Sequence, residues 1–89
     1  MEPSEDELVT HVLAAARAFR VGMEPYGNRC LGLVVGLILE RLTTVPPLLA
    51  LRLQKTIKVT FEAQRRGDYL LIADLLEYEI APAFGIHIS

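Results

Sequence analysis

One cysteine in 89 residues excludes a disulfide within the chain. Cys30 stands among apolar residues and is expected to be a buried, inert thiol. Histidine is almost as scarce. His11 and His87 lie near opposite ends, so with Cys30 they give no clustered ligand set, and neither a metal nor a cofactor is expected. The sequence has no P-loop, glycine-rich phosphate cradle or nucleophile elbow. A Cys–His nucleophile pair would need Cys30 exposed and activated, against the character of its neighbours. No catalytic residue is assigned. A net charge of −2 and a pI near 5.6 argue against general nucleic-acid binding. The opening MEPSEDEL is acidic and lacks a basic stretch followed by an apolar one. No secretory signal is expected, and the cytoplasm is the default compartment.

A membrane-length apolar run is missing too. The greasiest stretch is Cys30–Leu42, CLGLVVGLILERL. A helix over about 28–42 spans roughly 20 Å, against about 30 Å for a bilayer core. What the chain has in abundance is apolar residues, at 52%. So short a chain can hide only part of its surface in one core, and the surplus points to oligomerisation. Leu31, Leu33, Val34, Val35, Leu37, Ile38 and Leu39 leave the central segment no polar face. Such a helix needs enclosure on all sides. Clustered β-branching at Val34, Val35 and Ile38 gives a buried strand some weight, but length and leucine content favour helix. Gly32 and Gly36 share one face, as ordinary close packing or as a self-association seam.

Helix 1 is expected at about 5–21, with Ser4 as N-cap, Glu7 at the capping-box spacing and Gly22 as the stop. Met23–Arg29 contains Pro25, Gly27 and Asn28. It reads as a turn in which Asn28 caps the second helix and Tyr26 packs as a plug or meets a ligand. Helix 2 runs over about 28–42. Thr44 is the expected cap of helix 3, about 46–66, with Pro46 and Pro47 in its first turn. One face of helix 3 carries Leu49, Leu53, Thr56, Ile57, Thr60 and Phe61. Leu48, Leu51 and Val59 lie on the opposite side, among Arg52, Lys55, Lys58, Arg65 and Arg66. That basic stripe reads as a solvated face or an anion or RNA contact, and Glu62 interrupts it. Gly67 ends helix 3, Asp68 caps helix 4 at about 69–81, and Pro82 stops it. The apolar arc of helix 4 includes Leu71, Ile72, Leu75, Leu76 and Tyr78. Glu79 has the helical angle of that arc, so it is either solvated at a frayed end or paired with Arg29 or Arg41. An antiparallel hairpin pivoting at Gly67 would set Lys58 level with Glu77. Residues 1–3 are expected to fray, and 83–89, with Phe84, Ile86 and Ile88, to form an extended tail.

The segment Gln64–Pro82, QRRGDYLLIADLLEYEIAP, resembles a segment of small helical proteins of Gram-positive bacteria. They share its aspartate-tyrosine, leucine-rich Asp74-Leu75-Leu76-Glu77-Tyr78-Glu79 type of run. The resemblance implies a bacterial cytoplasmic helical protein of a motility-related setting and carries no activity.

The expectation is a single all-α domain, a four-helix up-down bundle in which helices 1, 3 and 4 enclose helix 2, paired as a homodimer. Interface residues are Gly32, Gly36, Leu48, Leu51 and Val59. Glu79, Tyr78 and Arg41 form a possible polar site. The expected function is a non-enzymatic binding or adaptor module, chaperone-like, that receives an amphipathic helix. A second reading is a small-molecule binder or enzyme with a pocket near Tyr26, Tyr69, Tyr78 and Glu79. A third is an anion or RNA binder through helix 3.

Overall fold

The computed structural model describes the backbone of residues 3–86 and the side chains of 7–86. The side chain of Ser4, His87 and Ile88 lie outside that range. All regular structure among the described residues is helical: α1 (Pro3–Arg20), α2 (Glu24–Arg41), α3 (Pro47–Arg66) and α4 (Tyr69–Leu75). α4 continues through a wider π-helical segment, Leu76–Ile80, into a last turn, Ala81–Ala83. No helix among the described residues is long and apolar enough to cross a membrane.

Two of the stops are those the sequence implies, and one is not. Gly22 and Gly67 take φ of 81° and 72°, a region costly for other residues. Each lets the next N–H reach back five residues, Met23 to Ala18 O and Asp68 to Ala63 O, both 2.8 Å, closing the helix end. Asp68 then caps α4, its Oδ1 accepting from the Leu71 N–H at 3.3 Å. Pro82 does not end the last helix, which runs through it to Ala83, because a proline in the first turn of that segment loses no needed N–H. Residues 84–86 are therefore not an extended tail; Gly85 takes φ 70° and the Ile86 N–H reaches back to Ala81 O at 2.9 Å.

Three starts differ from expectation. α1 begins at Pro3, one residue before Ser4. α2 begins at Glu24, four residues before Asn28. Pro25 sits in its first turn, where a missing N–H costs nothing. Gly27 is a poor helix former, but packing overrides that. A Cβ there would stand 2.9 Å from the Phe19 ring, and that ring stacks on Tyr69 with centroids 5.5 Å apart. Asn28 therefore lies inside the helix, where its Oδ1 accepts from Gln64 Nε2 at 2.8 Å. The third difference is Thr44. It does not cap α3, whose N-cap is Pro46. Its hydroxyl donates instead to the Arg41 carbonyl at 2.9 Å, satisfying the end of α2.

The packing centre is also not the expected one. α1 carries most contacts, with α2 along it and α4 and the π segment against it, while α3 packs on α4. The buried face of α1, Leu8, Val12, Ala15, Ala16 and Phe19, is rich in small residues that let neighbouring helices come close. α2 is therefore not a rod wrapped on all sides. It buries Cys30, Leu31, Val34, Val35 and Ile38 and leaves Leu33 and Leu39 48% and 53% exposed. On α3 the core takes Leu53, Ile57, Thr60 and Ala63, and Phe61 lies outside it, exposed. Buried Thr60 donates to Thr56 O at 2.7 Å, so its hydroxyl is satisfied. The Cα radius of gyration is 12.1 Å, as compact as about 12 Å expected for this length. The exposed leucines are not a product of an open fold.

Candidate functional site: a π-segment cleft and two apolar faces

The π segment resolves the anomaly at Glu79. From Ile72, an unbroken α-helix would turn positions 72, 73, 76, 79 and 80 to the core. The buried residues are Ile72, Ala73, Leu76, Ile80 and Ala81. The pattern continues after Leu76 with one residue added, which is what a π-bulge supplies. Glu79 is thereby rotated out and exposed, and its neighbour Tyr78 is exposed as well. The signal was present in the sequence as Ile80-Ala81 standing one place late.

That rotation lines a cleft of about 180 Å³ between the first half of α3 and the π segment. Leu49 and Leu53 supply apolar walls, and Arg52, Thr56, Tyr78 and Glu79 supply polar groups. Two of the expected polar residues, Tyr78 and Glu79, meet there. Arg41 does not: its Nη1 donates to Leu37 O at 3.2 Å, within its own helix. The cation of the cleft is Arg52, a member of the basic stripe of α3. Glu79 makes no ion pair with Arg29 or Arg41 among the described residues.

The other two tyrosines of the expected pocket are elsewhere. Tyr69 stacks on Phe19. Tyr26 is half-exposed and borders a separate groove of about 300 Å³ with Ala18, Val21 and Met23. The Cys30 thiol one turn further along the helix is the main cause holding the Tyr26 phenol above its ordinary pKa.

Glu77 does not meet Lys58. Arg20, at the end of α1, takes both carboxylates of the α4 region: Nη2 to Asp74 Oδ1 at 2.7 Å and Nε to Glu77 Oε1 at 3.1 Å. The hydrogen bond to Glu77, then that to Asp74, raises the guanidinium's pKa further above its ordinary value. The hairpin register missed this because α4 packs on α1 as well as on α3, and the π segment shifts the phase. The clasp fastens two helix ends and belongs to the fold.

All five expected interface residues are exposed: Gly32 and Gly36 on α2, and Leu48, Leu51 and Val59 on α3. Leu48 is 79% exposed and Leu51 48%, in the first turns of α3, just after the loop that follows Arg41. The basic residues Arg52, Lys55, Lys58, Arg65 and Arg66 are likewise exposed, and Arg66 lies 3.8 Å from Asp68. No protein-family model, curated protein or solved structure matches this chain.

Proposed function

We propose that this chain is a non-enzymatic, homodimeric binding module: α2 docks a second copy, and the Leu48/Leu51/Val59 patch receives an amphipathic helix of a protein partner. In this reading the four helices form an up-down bundle. Short loops support it, as does the Asn28–Gln64 bond tying the start of α2 to the end of α3. One observation carries the functional reading. A compact chain leaves Leu33, Leu39, Leu48 and Leu51 about half or more exposed. Covering the exposed half of a leucine recovers about 1 kcal/mol, so these residues reward a partner. An amphipathic helix with apolar residues at i, i+3, i+4 and i+7 suits such a patch. Anisotropy of a labelled leucine-rich amphipathic peptide should show saturable binding to the wild type and none to Leu48→Glu/Leu51→Glu. No saturation with the wild type would contradict helix reception.

The π-segment cleft favours a second reading, a small-ligand site. Arg52 and Glu79 place opposite charges over an apolar floor, in a space below the ~300 Å³ of a drug-sized pocket. A free amino acid is the class of ligand that fits. Thermal shift with the free amino acids would test it, and an unmoved midpoint in all of them would remove it.

A further inference from the structure

One stripe of α2 has no partner in its own chain. Arg29, Leu33, Gly36 and Glu40 are all exposed. Their spacing of four, three and four residues keeps them in one narrow arc, as at a coiled-coil seam. A side chain built on Gly36 would meet nothing within 4 Å, so the surface there is open and recessed beside Leu33. Neither Arg29 nor Glu40 makes an ion pair among the described residues. Along this stripe the cation comes early and the anion falls in the last turn. That order opposes the dipole of their own helix.

We infer that this stripe is the seam of a two-fold homodimer in which two α2 helices pair antiparallel, Leu33 of each seated on Gly36 of the other and Arg29 of each facing Glu40 of the other. The inference rests on the homodimer reading above and names its register. In an antiparallel pair, facing residues share one midpoint. The midpoint of Leu33 and Gly36 and that of Arg29 and Glu40 both fall between Val34 and Val35. A single two-fold axis there satisfies the knob and the charges together, and it makes each contact occur twice. Antiparallel helices also bring the Glu40 end of one chain toward the positive half of the other's dipole. A parallel pairing would set Arg29 against Arg29 and Glu40 against Glu40, which costs affinity. Leu33 on a glycine is a knob in a hole.

Sedimentation equilibrium of the full chain tests the register by charge reversal. Arg29→Glu and Glu40→Arg should each weaken dimerisation about tenfold or more, since each sets like charges opposite at two symmetric places. The double variant Arg29→Glu/Glu40→Arg should recover the wild-type dissociation constant to within about threefold, as reversed pairs restore complementarity. Gly36→Leu should weaken the dimer by filling the hole. Both charged side chains are exposed, and unchanged helical circular dichroism would verify that every variant is folded. If the wild type dimerises but the single reversals associate like it, or the double variant fails to recover, the register is overturned while the homodimer reading stands. A monomeric wild type overturns both.

Discussion

Ala81 and Glu79 separate a π-bulged final helix from a straight one. Ala81 is fully buried and Glu79 exposed. In an unbroken α-helix the two would exchange places, 79 turned inward and 81 outward. Ala81→Glu forces a larger side chain into a filled core, worth about 1–3 kcal/mol of strain, and leaves a carboxylate without a partner, worth about 3–5 kcal/mol more. Some relaxation toward water lowers that, so the expected loss is about 4 kcal/mol or more. A domain of this size has about 5–15 kcal/mol in all. At about 4–8 °C per kcal/mol, the melting midpoint should fall by roughly 16 °C or more. Glu79→Ala removes an exposed side chain and should move stability by no more than about 0.5 kcal/mol. Thermal and urea unfolding followed by circular dichroism read both variants. A silent Ala81→Glu beside a Glu79→Ala that loses more than about 1.5 kcal/mol would refute the phase shift.

Further outcomes follow from the same packing. Gly27→Ala should destabilise by about 1 kcal/mol or more, because strain against the stacked Phe19 ring outweighs the gain in helix propensity; a rise in midpoint would contradict that contact. Gly32→Ala meets open space and should stabilise the isolated chain by about 0.5–1 kcal/mol, measured at high dilution; a loss would mean that the site is already filled. Arg20→Ala should cost about 1 kcal/mol, less at high salt, and Lys58→Ala nothing measurable; equal losses in urea unfolding would restore the hairpin register. Ile72→Ala should cost about 2–5 kcal/mol, and an unchanged midpoint would place Ile72 outside the core.

Four helices, and the stops at Gly22 and Gly67, were readable because glycine and Asp68 punctuate them with local chemistry. The stop expected at Pro82 was not there, because a proline at the start of a turn fits the helix that continues through it. Three starts were not readable. Gly27 and Asn28 look like turn residues until Phe19, nearby in the chain but on another helix, is seen to need a partner with no Cβ. α2 is not the enclosed rod, because the buried alanines of α1 let α2, α4 and the π segment all pack against α1 instead. The cleft was half legible: Tyr78 and Glu79 are adjacent in sequence, but Arg52 reaches them only through the α3–α4 packing. Arg20 reaching Asp74 and Glu77 is likewise a contact between distant positions, which no helical periodicity encodes.

Sedimentation equilibrium of the unmodified chain, run across micromolar concentrations, addresses most directly whether a second copy covers the open face of α2. The expected result is a species of about twice the 9.9 kDa chain mass that dissociates on dilution. A constant mass of one chain throughout would contradict it.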